Sequence, residues 1–408
     1  MSILAEAPWG SSSGTVVTAV RTFLTAPQGS PYLIVRVETA QPGLYGLGCA
    51  SDPQRTLAVK SVVEDYLAPM VLGRDPGDID DIHRLLLNSG YWRGGSIEGN
   101  ALGAIDLALW DIKAKAAGMP LYSLLGGRVR DGVAAYTHVD GGSAEELAER
   151  VQGAAARGFR HVRVQVAVLG SLTYGVGGGG GTRWDSEAYV RFVPGVLREV
   201  RSRVPEEIAL LHDSHERLTP AQARRFVADV ADARLFFLED VLAPEDAAYF
   251  PDLRSSGVPL SMGELFHDVA QFLPLVTGRL IDFARVRVPT LGGLTPVRKL
   301  AAVCELFGVR LAPHGPGDVS PLGHAANVAL GVSSHASGIQ EAATLHEATL
   351  EVFPGTPVPD GGVVRPSTSP GLGVDFDEAA ARRHPPPGPG VHDRWALLRA
   401  HDGAVHRP

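Results

Sequence analysis

The chain has 408 residues, 45% of them hydrophobic, and a formal net charge of −8 at pH 7. That length accommodates a full barrel plus a smaller domain, the acidic balance leaves no footprint for nucleic acid, and no apolar run approaches the length of a membrane span. Two cysteines, Cys49 and Cys304, make no disulfide framework, and the opening MSILAEAPWGSSSG lacks a basic stretch followed by an apolar one, so the expectation is a cytoplasmic globular protein.

Residues 15–50 read as three strands, TVVTAVRTFL, YLIVRVETA and LYGLGCA. Three helical patterns follow. They are roughly Gln54–Leu72, then Asp78–Leu87 after the turn Asp75-Pro76-Gly77, then Ala101–Ala117, which stops at Gly118 with Pro120 beyond. Strands followed by helices predict an α+β unit.

From about Val133 the pattern changes. Eight short apolar runs follow one another: AAYTHV, HVRVQV, LLHDS, FFLED, LSMGE, FARVRV, RLAPH and GIQE. Each ends in a group that ionises or binds an anion, in order His138, Arg163, Asp213, Glu239, Glu264, Arg285, His314 and Glu341. Helix-like segments lie at about Ala144–Ala156, Ser186–Val204, Pro220–Val230, Pro244–Leu253, Asp268–Leu275, Pro296–Phe307 and Pro321–Leu330. Several carry Pro near the first turn, where the missing N–H costs nothing. Alternating strands and helices predict a (β/α) barrel, whose chemistry sits where the strands end.

Two segments break the pattern. Gly177–Gly181 is a run of glycines after the second barrel strand, read as a mobile loop. No Gly-Lys-Ser/Thr signature or helix start supports a phosphate cradle there. The stretch His384-Pro385-Pro386-Pro387-Gly388-Pro389-Gly390 is too rich in Pro for a helix or inner strand. It reads as an extended arm over the N-terminal domain.

Asp213, Glu239 and Glu264 close three successive runs. Carboxylates converging in a buried cleft repel each other unless something neutralises them. A hard divalent cation does so, and Mg²⁺ takes oxygen ligands while leaving positions open for substrate. A single carboxylate at a strand end also suits the cap of the next helix. All three in a row fit that explanation poorly. His215 follows Asp213 by two residues, so a strand's period would turn both side chains to one side.

The segment AIDLALWDIKAKAAGMPLYSLLGG (Ala104–Gly127) resembles the end of the capping domain in the enolase superfamily. A narrower resemblance is to the mannonate dehydratase family, which includes gluconate dehydratases and starvation-sensing RspA-like proteins. It rests on YWRGGSIEGNALGAIDLALWDIKAK, RVQVAVLGSLTYGV, LLHDSHERLTP, FFLED, MGELFH, LGGLTP, APHGPGDVSP, GIQE and PGLGVDFDE, in that order. The resemblance implies an α/β fold, a (β/α)7β-type TIM barrel with an N-terminal α+β capping domain. The divisions would be 1–130 for the cap, 131–355 for the barrel, and 356–408 for a C-terminal extension packing back on the cap.

It further implies a Mg²⁺-dependent acid-sugar dehydratase, of the D-mannonate or D-gluconate kind, acting as a homo-oligomer. Asp213, Glu239 and Glu264 would hold the metal, Tyr174 would be the base with Arg163 beside it, and His215 the acid. A tyrosine is a poor base until a neighbouring cation favours phenolate, and Arg supplies that field. His138, Arg285, His314, Asp318 and Glu341 would bind the substrate's carboxylate and hydroxyls.

Other bases common in the superfamily are missing. Arg163 and Gln165 stand where a Lys-x-Lys pair would, and ARVRVPT offers no Asp to pair with His314. Three departures from the family bear on substrate contacts. The stretch VGGGGGTRW is shorter than the usual lid, Pro53 replaces a substrate-binding Asn, and the terminus AHDGAVHRP lacks a closing Trp. The alternative they leave open is a low-activity relative with a binding or regulatory role.

Overall fold

The computed structural model describes residues 13–50, 52–166, 184–388, 399–400 and 402–405. Tyr174 and the run Gly177–Gly181 lie outside the described residues. The chain opens with an antiparallel sheet of β1 (Val17–Thr25), β2 (Tyr32–Thr39) and β3 (Tyr45–Ala50), in that order. The helix Ser96–Ala116 lies across it. Gly48 of β3 permits this close approach, because a Cβ there would stand 1.8 Å from the Ala104 carbonyl oxygen.

That helix begins five residues before the expected Ala101. Gly99 argues against helix by propensity, yet it serves the packing on the opposite side. A Cβ at Gly99 would stand 2.0 Å from the Thr290 carbonyl oxygen, in the barrel. The helix is thus clamped between sheet and barrel, which is why its burial runs all the way round and not along one stripe. The expected single helix Gln54–Leu72 is three segments, Thr56–Ser61, a π-helical turn Val62–Leu67 and Ala68–Val71.

Eight parallel strands then form the barrel: β4 (Val133–Gly141), β5 (His161–Val166), β6 (Ala209–Asp213), β7 (Phe237–Glu239), β8 (Leu260–Met262), β9 (Phe283–Ala284), β10 (Arg310–Leu311) and β11 (Gln340–Glu341). β11 pairs with β4. The ring closes where the Leu311 carbonyl accepts bonds from Gly338 and Ile339 and its N–H donates to Ala336. Seven helical connections separate the eight strands, as a (β/α)7β barrel requires.

Two of the connections differ from expectation. Pro244–Tyr249 and Val269–Phe272 are 3₁₀ turns that restart as short α-helices, Phe250–Arg254 and Leu273–Thr277. Pro251 and Pro274 sit in the first turns of those second pieces. Proline has no N–H to bond back into the preceding turn, so the helix cannot run through.

The barrel centre is solid. Tyr136, Leu211, Phe237, Phe283, Ala312 and Ile339 form a separate buried cluster inside it. Side chains two residues apart share a strand face. Two positions beyond these six along the chain stand His138, Asp213, Glu239, Arg285, His314 and Glu341. An apolar plug therefore supports a polar layer one step higher.

After the barrel, β12 (Pro359–Asp360) and β13 (Val363–Val364) form a short hairpin whose second strand pairs antiparallel with the start of β4. The chain then returns to the cap. Leu372 N–H donates to Asp111, Phe376 packs on Phe23 with ring centroids 5.3 Å apart, and the His384 carbonyl accepts from Ala26. Among the described residues no helix is long and apolar enough to cross a membrane.

Gly99→Ala tests the clamp. Alanine gains about 1 kcal/mol of helix propensity, but forcing a methyl against a backbone carbonyl costs about 1–3 kcal/mol. The neighbour is main chain and yields little, so a net loss of stability is expected in urea unfolding, and a midpoint at or above the parent's would show slack between cap and barrel.

Candidate active site

The polar layer is held together by two buried arginines. Arg285, just past β9, is fully enclosed. Its Nε bonds Glu239 Oε1 at 2.6 Å, its Nη2 bonds Glu341 Oε2 at 2.6 Å, and its Nη1 donates to the Ala312 carbonyl at 2.8 Å. Arg163 on β5 reaches in from the other side. Its Nη1 stands 3.2 Å from Asp213 Oδ2, 3.2 Å from Glu239 Oε2 and 3.5 Å from Glu341 Oε1.

The three carboxylates expected to share a cation do converge. Asp213, Glu239 and Glu264 each offer an oxygen, and these atoms lie within 4.8 Å of one another. Asp213 Oδ2 is buried without a hydrogen-bond partner. A donor set of oxygens alone, one of them held only by the ion pair with Arg163, fits a hard divalent cation. Glu264 lies two residues beyond β8 and is placed by a turn. There the Gly263 N–H donates to Asp240 Oδ1 at 3.0 Å, with Gly263 at φ 131°.

His215 joins this site, but not by strand alternation. β6 stops at Asp213, and His215 adopts a left-handed φ of 54°. Its N–H donates to Asp213 Oδ1 at 2.7 Å, a side-chain turn of the kind Asp favours. The ring's Nε2 then stands 3.8 Å from Glu264 Oε1. His314 meets Glu264 from the far side, Nε2 to Oε2 at 3.3 Å, and His138 Nε2 lies 2.7 Å from Glu341 Oε1. Asp318 stands apart from this layer and accepts from Arg287 Nη2 at 2.9 Å. Beside it the Gly317 carbonyl accepts from Gln28 and Tyr32 of the cap, at 2.9 and 2.7 Å. Pro53 lies in the turn between β3 and the helix Thr56–Ser61.

Burial raises the carboxyls of Glu239, Glu264 and Asp240. For Glu264 the neighbouring Asp240, Asp213 and Glu239 add to that rise, whereas Arg285 relieves Glu239. Glu341 goes the other way. Burial opposes its charge, but Arg285, Arg163 and the bond to His138 together hold its carboxyl well below the usual range. Burial pushes His215 and His314 well below the ordinary histidine value, with Arg217 adding at His215 and Arg287 at His314.

Several contributors escaped the sequence reading. Gln165 donates to the Asp213 carbonyl at 3.1 Å. Arg217 contacts His215, and Asp240 braces Gly263. The two-residue spacings Arg163/Gln165, His215/Arg217 and Arg285/Arg287 were the available signal.

Two family models match the chain. The mandelate racemase/muconate lactonizing enzyme N-terminal domain covers residues 11–126, and the enolase C-terminal domain-like model covers residues 146–380. A D-galactonate dehydratase family member from Streptomyces sp. (strain SPB78) is 65% identical over 421 residues, covering 100% of this chain and 95% of its own. The chain belongs to the D-galactonate dehydratase family of the enolase superfamily. A member from Salmonella enteritidis PT4 is 42% identical over 424 residues, covering 97% of this chain and 99% of its own. Among solved structures, an enolase from Pantoea ananatis with bound D-gluconate and magnesium is 41% identical and superposes with a TM-score of 0.92, covering 97% of this chain and 100% of that one.

The charge pattern predicts a pH dependence. Raised carboxyls make the folded state bind protons more tightly than the unfolded state, so their contribution to stability falls as pH rises above the unfolded value toward the folded one. The buried histidines, shifted down, oppose this only until the unfolded histidine value of about 6.5. Metal-free protein should therefore lose the carboxyls' contribution to its melting temperature as pH rises above the ordinary carboxylate range, with the histidines offsetting part of the loss up to about pH 6.5. A saturating divalent cation should reduce that loss, and Glu264→Gln should abolish the cation's effect. Identical melting curves with cation and with chelator would remove the cation site.

Proposed function

We propose that the protein dehydrates an acid sugar with Mg²⁺, releasing a 2-keto-3-deoxy acid. The observation that carries this reading is the convergence of Asp213, Glu239 and Glu264 beside His215 and His314, at the end of a barrel sealed below. The relative from Pantoea ananatis, which binds D-gluconate and magnesium, supports both ligands. Aldonic acids of the gluconate, galactonate and mannonate type are the substrate class.

Asp213, Glu239 and Glu264 would hold the metal. Bound there, Mg²⁺ would supply positive charge to the substrate carboxylate region as the C2 proton leaves. Tyr174 takes that proton as phenolate, in the field of Arg163. The C3–O bond then breaks with its electron pair, and the departing 3-hydroxyl collects a proton from His215 to leave as water. The remaining enol becomes the keto acid by taking a proton at C3. His138, His314 and Asp318 meet the substrate's hydroxyls and carboxylate. Arg285 and Glu341 act by position, since their bonds to each other, Glu239 and the backbone fix the layer. Pro53 offers no side-chain donor to a substrate hydroxyl.

A panel of C5 and C6 aldonic acids with Mg²⁺ should yield a 2-keto-3-deoxy product from at least one member, and excess EDTA should stop it. Full activity in EDTA would exclude metal-assisted proton abstraction. Binding without turnover across the panel would favour a sensing role.

The two protons are separable. His215→Asn should slow dehydration by roughly a hundredfold or more while C2 exchange with heavy water persists. Tyr174→Phe should stop both. Normal C2 exchange in Tyr174→Phe would move the base elsewhere, with His314 next in line.

A further inference from the structure

The acid assigned to His215 depends on which ring nitrogen carries the hydrogen, and the contact with Arg217 bears on it. Arg217 lies two residues on and is buried. Its Nη2 stands 3.3 Å from His215 Nδ1. A guanidinium has five N–H donors and no acceptor. For this contact to be a hydrogen bond, Nδ1 must accept, and a neutral ring then has its hydrogen on Nε2. Nε2 is the atom that points at the carboxylate cluster, 3.8 Å from Glu264 Oε1.

The guanidinium is itself braced. Its carbon lies 5.1 Å from the ring centroid of Trp184, which is also buried. The backbone N–H of Trp184 donates to the Arg399 carbonyl at 2.7 Å, so the C-terminal segment fastens the main chain that carries the ring. The ring of Trp184 leans on Tyr189, with centroids 5.1 Å apart. Tyr189 OH meets His212 Nε2 at 2.6 Å, and His212 Nδ1 donates to the Val164 carbonyl at 2.7 Å. A carbonyl only accepts, so His212 must take the tyrosine hydrogen at Nε2. Residues on both sides of Asp213 thus have fixed ring orientations.

We propose that Arg217 is a positioning residue that fixes His215 with Nδ1 as the acceptor and its hydrogen on Nε2, the nitrogen that faces the carboxylate cluster and would serve the leaving hydroxyl. The inference rests on the dehydratase reading for what His215 does, but the tautomer stands without it. When Nε2 gives its hydrogen to the departing oxygen, the N–H bonding pair stays on the ring. The negative charge is shared with Nδ1, directly against the guanidinium of Arg217. A hydrogen on Nδ1 would instead face a group that only donates and would lose the bond. Arg217 therefore favours donation from Nε2.

The test uses the full chain with Mg²⁺ present, labelled with ¹⁵N at histidine, with His215→Gln to assign the signal. The ring of His215 should show a protonated Nε2 and a bare Nδ1 at neutral pH. Arg217→Met, with folding checked by its melting temperature, should give a mixture of tautomers. In the active protein it should lower kcat for dehydration by roughly tenfold or more with KM little changed, leave C2 exchange near the parent rate, and be partly rescued by Arg217→Lys. A protonated Nδ1 in the parent protein overturns the proposal, whether or not any variant folds. So does an Arg217→Met protein whose tautomer and dehydration rate match the parent. Should no aldonic acid be dehydrated, the reaction assignment falls while the tautomer still decides the role of Arg217.

Discussion

Everything at the top of the barrel depends on balancing buried negative charge. Five carboxylates, Asp213, Glu239, Asp240, Glu264 and Glu341, stand near two enclosed guanidinium groups, Arg163 and Arg285. Leaving one such charge without its partner costs about 3–5 kcal/mol. Arg285 cannot serve all of them. It binds Glu239 and Glu341 closely and stands 3.8 Å from Glu264. The protein's own cations thus pin one edge of the layer firmly and leave the edge at Glu264 short of positive charge. Glu341, the best served, is held ionised, while Glu264 resists ionisation. The shortfall falls where a cation would sit, and the surrounding scaffold is built without waiting for one.

Backbone strain is concentrated at the same place. His215, Glu216 and Asp240 all have positive φ, a region costly for residues with side chains. They lie where β6 and β7 end, and the Glu216 N–H donates to the Asp240 carbonyl across the two turns at 2.6 Å. Turning the chain sharply after Asp213 and Glu239 lets these two carboxylates stay on the strands while the next residues fold back beside them. The bond between the turns holds them in that form.

Much of this was legible in the sequence. Eight apolar runs, each ending in a chemical group, gave the barrel and its polar layer, because strand alternation and parallel pairing leave few other arrangements. The carboxylate trio was legible for the same reason. What escaped reading lay where local preference and tertiary contact disagree. Gly99 reads as a helix breaker, and only the Thr290 carbonyl of a distant barrel loop explains it. His215 reads as a continuing strand, and only the left-handed turn shows how it reaches Glu264. Arg217 and Gln165 show in the sequence only as two-residue spacings, since their meaning comes from the turn at His215 and from the Asp213 carbonyl. Pro251 and Pro274 were visible, yet a proline inside a helical pattern fits both an uninterrupted first turn and a restart.

The aromatic plug under the polar layer has a consequence for traffic. Tyr136, Phe237 and Phe283 fill the barrel's axis, so nothing crosses it from below. Ions and solutes therefore reach the polar layer from the side of the strand ends, where the cap loop at Gln28 meets the Gly317 carbonyl. Arrival and departure therefore queue. Whatever binds deepest enters first and leaves last, and any small molecule released inside waits on what stands above it.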